Sequence, residues 1–171
     1  MEIEIRPRTS ADLEECAQLL VAVYERDAYP VEGVADPLSW LSPTGLMNAW
    51  VATIAGSTVG HALITAPKPT DDAATLWIEQ SHEPASSIAV LGRLFVGPEG
   101  RNRGVGEQLT RAAMDYGAER NLRLVLDVME KDKAAIRLYE RLGWLNIGST
   151  RHKFGIGQET SAQCYVSPPL S

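Results

Sequence analysis

Two apolar runs, residues 88–96 and 122–128, flank one stretch of helical periodicity, and this arrangement restricts the fold more than any other feature of the chain. The first run reads Ile-Ala-Val-Leu-Gly-Arg-Leu-Phe-Val and stops at Gly97-Pro98; the second reads Leu-Arg-Leu-Val-Leu-Asp-Val. Between them Leu109, Ala112, Ala113 and Tyr116 recur on one helical face. Strand, helix and strand in this order give a parallel pair joined by a right-handed crossover, so the fold is α/β.

The join between the first run and the helix is basic and contains glycine: Arg101, Asn102, Arg103, Gly104, Val105 and Gly106. The first N–H groups of a helix lack partners inside it and carry the positive end of its dipole. Gly104 and Gly106 let a phosphate approach the backbone, and Arg101 and Arg103 offer charged donors to its oxygens. A diphosphate suits the combination; the alternative is a turn with two solvated arginines. A P-loop requires Gly-x-x-x-x-Gly-Lys-Ser/Thr, which does not occur here. A dinucleotide fingerprint requires a third glycine where Leu109 stands, although Asp127 follows at the spacing of that fold's ribose acid.

With a second stretch, Asp132-Lys-Ala-Ala-Ile-Arg-Leu-Tyr-Glu-Arg-Leu-Gly-Trp144, the turn resembles the coenzyme A loop and the later motif of the GNAT acetyltransferases. The resemblance implies a single α/β domain over residues 1–171, with a mixed central sheet, a splayed parallel strand pair and flanking helices. It implies acetyl-CoA as donor and a primary amine of a small molecule as acceptor. A protein N-terminal or lysine acetyltransferase, and a non-catalytic acyl-CoA-binding regulatory domain, are the alternatives. The pantetheine arm is expected along the main chain of Leu94, Phe95 and Val96, where an N–H would face the thioester oxygen. The diphosphate is expected at Arg101, Asn102, Arg103, Gly104, Val105 and Gly106, with further coenzyme contacts at Asp132 and Ala135.

Tyr139 matches the tyrosine that the family uses as general acid toward the coenzyme sulfur. A phenol near about 10 and a thiol near about 8.5 make full proton transfer cost roughly 2 kcal/mol, so a hydrogen bond to the sulfur is the expected role. Asp132 stands where the family has Asn; it can accept hydrogen bonds and cap the helix, but ionised it donates none. Family members often carry a Glu on the strand before the loop, but Gly92 and Arg93 occupy those positions. The general base is therefore open: Glu79, His82, Glu83 and His61 are the substitutes, none at a decisive spacing, with Glu79 as the catalytic candidate and water as an available relay.

The rest of the chain supplies the frame. Residues 2–6 alternate as a strand, and Thr9 with Asp12 resembles a capping box for a helix reaching Asp27. Residues 28–45 are broken by Pro30, Gly33, Pro37 and Pro43 and carry Tyr29, Glu32, Asp36 and Trp40, with Glu25 and Asp27 beside them. The resemblance makes this segment a wall of the acceptor pocket, and acidic residues there would favour a cationic amine. Residues 48–54 and 57–66 form a hairpin about Ala55-Gly56. A helix from Thr70 to about Gln80 either leans over the active site or covers a sheet edge. Leu138, Tyr139 and Leu142 share a helical face with Ala135, Gly143 stops that helix, and residues 144–149 and 162–166 read as final strands.

Length suits one domain, and a net charge of −6 argues against a nucleic-acid partner. No run approaches the about 20 apolar residues of a membrane span. Cys16 and Cys164 are too few and too far apart for a disulfide framework or zinc site, so no metal is expected and the thiols read as reduced, in the cytoplasm. The expected partner is an amine-bearing small molecule or peptide, and a homodimer is open as the assembly state.

Overall fold

The computed structural model describes residues 2–27, 35–153 and 159–170, with backbone alone at 152, 153 and 159. Along the chain run β1 (Ile3–Pro7), α1 (Leu13–Asp27), α2 (Pro37–Trp40), β2 (Leu46–Ile54), β3 (Ser57–Thr65), α3 (Asp72–Ser81), β4 (Ile88–Val96), α4 (Val105–Glu119), β5 (Arg123–Met129), α5 (Lys133–Arg141), β6 (Leu145–Lys153) and β7 (Glu159–Val166). The strands form one mixed sheet of seven in the order β1-β2-β3-β4-β5-β7-β6. Two compact units divide the chain, Met1–Thr65 with Gly92–Ala113 and Ala66–Leu91 with Met114–Ser171. Both β4 and α4 pass from one unit into the other.

In the first unit β1, β2 and β3 make an antiparallel meander. Ala55 (φ 52°) and Gly56 (φ 82°) are both left-handed, as a two-residue hairpin turn requires. The capping box forms: the Asp12 carboxylate accepts the Thr9 N–H at 2.7 Å. It also accepts both terminal amino groups of Arg6, at 2.8 and 2.9 Å. That pairing holds the Asp12 carboxyl well below the usual carboxylate range. Cys16, Ala17, Leu20 and Val23 then turn one face of α1 onto Leu41, Val51 and Phe95.

In the second unit α3 begins after Asp71, one residue beyond the expected cap, because the Asp71 carboxylate accepts the Lys68 N–H at 2.6 Å and closes the preceding turn. Ala73 and Ala74 pack on Ile88, Val125, Cys164 and Val166, so α3 buries a sheet face rather than an edge. A parallel ladder joins Ile88–Val90 to Arg123–Val125. β6 and β7 are longer than their apolar pattern indicates, pairing from Leu145↔Val166 to Lys153↔Glu159. Their outer residues are polar, and backbone pairing carries the hairpin where side-chain alternation stops. α5 ends in a Schellman motif: Gly143 (φ 90°) donates to the Glu140 carbonyl at 3.1 Å and Trp144 to the Tyr139 carbonyl at 3.0 Å.

Candidate active site

The loop after β4 is held by its own backbone. The Gly97 N–H donates to the Val59 carbonyl at 2.8 Å, and Gly100 closes a tight turn onto the Gly97 carbonyl at 3.0 Å. A Cβ on Gly60 would stand 2.8 Å from Val105 Cγ1 and 3.1 Å from Leu109 Cδ1. Lack of a side chain there lets the first turn of α4 lie directly on β3. Gly100 works in the same way beneath Val96 and Val105.

This packing leaves the mouth of α4 open. Asn102 (φ 61°) and Gly104 (φ 79°) are left-handed and turn the chain into the helix. The first helical bond runs from the Gln108 N–H to the Gly104 carbonyl at 3.0 Å, so the N–H groups of Val105 and Gly106 have no acceptor within the helix. Asn102, Arg103 and Gly104 are exposed. A Cβ on Gly104 would meet no heavy atom within 4 Å. A diphosphate fits this cradle of open space, free N–H groups and one exposed guanidinium. The two arginines divide their work: Arg101 forms an ion pair with Asp27 at the end of α1, whereas Arg103 makes no ion pair with any described residue. Arg101 thus anchors the loop, and Arg103 is the one presented outward.

Upstream, Leu94 and Val96 are half-buried and the Phe95 ring is in the core, leaving main chain as what Phe95 can offer a ligand. Arg93 has a left-handed φ of 51° in the middle of β4. Three contacts hold it there. Its carbonyl lies 2.8 Å from His61 Nδ1, its Nε–H donates to the Trp40 carbonyl at 3.1 Å, and its guanidinium carbon stands 4.6 Å from the Trp40 ring centre. Such over-determination is what sustains a strained residue.

His61 is fully buried and stacks on Phe95 with ring centres 5.1 Å apart. A carbonyl can only accept and a guanidinium can only donate, so Nδ1 carries the proton and Nε2 accepts from Arg8 Nη1 at 2.9 Å. Burial lowers its pKa to about 4, against the opposing pull of the Arg93 carbonyl. Both nitrogens are committed, which removes His61 from the candidate bases.

In the second unit Tyr139 is 5% exposed, with its ring against Trp144 at 5.6 Å and Tyr165 at 6.4 Å between centres. Its hydroxyl has no hydrogen-bond partner among the described residues. Burial raises its pKa, and the charges of Asp132 and Asp127 add to the shift. Asp132 occupies the N-cap of α5, but its carboxylate makes no capping hydrogen bond, contrary to the expectation; φ −86° and ψ 67° depart from the extended cap geometry. Ala135 is half-buried on α5.

Glu79 is exposed on α3, and His82 is the left-handed C-cap of that helix. Glu83 lines a surface cavity with Pro84, Ser87, Asn121, Arg123 and Leu170. Tyr29 and Glu32 of the expected acceptor wall lie outside the described residues, as do Pro30 and Gly33. Of the described acids there, Asp27 is paired with Arg101, and Asp36 accepts the Ser39 N–H at 3.2 Å as the cap of α2. The cluster of Arg8, His61, Arg93 and Trp40 was hidden from sequence reasoning, since Arg8 and His61 stand 53 positions apart with no motif to join them.

Known proteins share this arrangement. Residues 13–144 match the acetyltransferase (GNAT) family. The mycothiol acetyltransferase of Rhodococcus jostii (strain RHA1) is 32% identical over 108 residues, 62% of this chain and 31% of that protein. The chain spans under a third of the length of the curated relatives it matches. The ribosomal-protein-alanine N-acetyltransferase from Brucella melitensis has the same fold at a TM-score of 0.75 and 20% identity, covering 97% of this chain and 99% of that one. Arabidopsis thaliana NAA60, solved in complex with acetyl-CoA, superposes at a TM-score of 0.73 and 19% identity, covering 96% and 97%. With the strand–loop–helix geometry and a family match over most of its length, the chain belongs to the GNAT acetyltransferase family.

Proposed function

We propose that residues 1–171 act as one N-acetyltransferase domain, moving the acetyl group of acetyl-CoA to a primary amine of a small molecule. The observation that carries the reading is the open mouth of α4, where Arg103, Gly104 and the N–H groups of Val105 and Gly106 offer a seat for the coenzyme diphosphate. Asn102 borders that seat, Arg101 steadies it through Asp27, and Asp132 and Ala135 are the proposed coenzyme contacts on α5. Leu94, Phe95 and Val96 offer main-chain groups to the pantetheine arm.

In the reaction the amine nitrogen adds to the thioester carbon, the C–S bond breaks, and the nitrogen's proton passes through water to Glu79. An N–H near Phe95 or Val96 stabilises the oxyanion. Tyr139 donates a hydrogen bond to the departing sulfur. Its raised pKa keeps the phenol protonated, so it steadies thiolate charge without surrendering its proton. A cytoplasmic setting agrees with Cys16 and Cys164 as buried free thiols. No helix among the described residues is long and apolar enough to cross a membrane.

Calorimetric titration with acetyl-CoA, and with a short acetyl thioester lacking the nucleotide and diphosphate, tests the seat. The full coenzyme should bind about a hundredfold more tightly, as several charge-assisted bonds require. Equal affinities would remove the diphosphate site and the reading with it.

A further inference from the structure

Two arginines of the first unit converge on the end of α2. Arg93 donates its Nε–H to the Trp40 carbonyl at 3.1 Å and stacks on the Trp40 ring. Arg8 donates from Nη1 to the Leu41 carbonyl at 2.7 Å and to His61 Nε2 at 2.9 Å. These contacts leave the two terminal amino groups of Arg93 without a partner among the described residues, out of the five N–H donors a guanidinium carries.

Neither Arg8 nor Arg93 forms an ion pair with a described residue, and Asp12, whose charge is felt at Arg8, is itself paired with Arg6. Arg6, Arg101, Arg111 and Arg120, by contrast, each pair with a carboxylate. Of the described acids flanking α2, Asp27 is engaged by Arg101 and Asp36 by the cap of α2. The ring to which both arginines are linked is neutral. Two half-buried positive charges therefore face carbonyls and an uncharged imidazole. Partial burial of guanidinium charge is costly without a counter-charge, and a carboxylate matches the fork of Arg better than any neutral group does. Arg93 lies two residues before Phe95, on the strand whose main chain is the proposed contact of the thioester.

We infer that the terminal amino groups of Arg93, backed by the charge of Arg8, bind a carboxylate of the acceptor, so that the acceptor is an amine that also bears a carboxylate. This rests on the acetyltransferase reading and replaces the expectation of a purely cationic amine. Trp40 serves as a positioning residue that holds the guanidinium plane, and His61 as one that holds Arg93 in its left-handed turn.

The test uses pairs of primary amines that differ only in a carboxylate against the corresponding carboxamide, assayed with acetyl-CoA by mass spectrometry. The carboxylate member should show about tenfold or more higher kcat/KM, expressed in KM, as charge-assisted bonds predict. Arg93→Gln should bring the pair to within about twofold, and Arg93→Lys should keep part of the preference as a point charge does. A second measurement needs no variant: on the wild type, carboxylates without an amine should compete with the acceptor at about tenfold lower concentration than their amides. Transfer at equal rates within each pair, or a preference that survives Arg93→Gln, would overturn the inference and leave the acetyltransferase reading standing. Absence of transfer to every amine would overturn both.

Discussion

His61 Nδ1 lies 2.8 Å from the carbonyl oxygen of Arg93, and this bond joins a buried, neutral imidazole to the left-handed residue of β4. Protonation would place an Nε2–H against an Arg8 N–H, two donors with no acceptor between them. Burial therefore lowers the folded-state pKa of His61 to about 4, from 6.5 in the unfolded chain. Between those values the unfolded chain binds the extra proton, so stability rises with pH and falls as the solution is acidified. Chemical denaturation should show a loss on the order of 2 kcal/mol from about pH 7.5 to about pH 5. The loss should be absent in His61→Gln, and an equal loss in both proteins would contradict the assignment.

The Gly60 contact makes a second expectation. A Cβ there meets Val105 Cγ1 at 2.8 Å and the Phe95 carbonyl oxygen at 3.3 Å, so Gly60→Ala must push the first turn of α4 off β3. Overpacking of this kind costs about 1–3 kcal/mol. The substitution lies in a strand yet should weaken acetyl-CoA binding, read by calorimetry beside a denaturation curve. Unchanged coenzyme affinity with reduced stability would separate α4 from the diphosphate seat.

Much of this frame is legible in the sequence because local chemistry fixes it. The run of 88–96, the turn at Gly104 and the helix beyond are set by apolar period and the left-handed geometry of that glycine. The helix of Tyr139 is set by its stripe and by Gly143. What escapes is pairwise and distant. Whether Arg101 or Arg103 faces outward depends on Asp27, more than 70 positions away. The fate of His61 depends on Arg8 and Arg93, and that of the Asp132 side chain on backbone angles that residue type alone does not dictate.

The two loop arginines should separate in experiment. Arg103→Glu should lower acetyl-CoA affinity by about tenfold or more, with a smaller loss in high salt, because an exposed charge is screened. Its thermal midpoint should stay near that of the wild type. Arg101→Gln should lower the midpoint, because Asp27 and the end of α1 lose their partner. Reversed behaviour of the pair would contradict the division of roles.

Tyr139→Phe removes a hydroxyl that has no hydrogen-bond partner among the described residues, from a ring that stays packed on Trp144. Stability and coenzyme affinity should barely change, while kcat should fall about a hundredfold, the lower range for a positioned donor. A stability loss with kcat preserved would assign Tyr139 to the core alone.

The most direct measurement incubates the purified protein with acetyl-CoA and a panel of primary amines, following released thiol and acetylated amine together. The acetyltransferase assignment requires equal amounts of both, dependent on the protein and abolished by the double substitution Arg103→Glu, Gly104→Glu. Coenzyme binding without transfer to any amine would contradict it, as would thiol release with no acetylated amine.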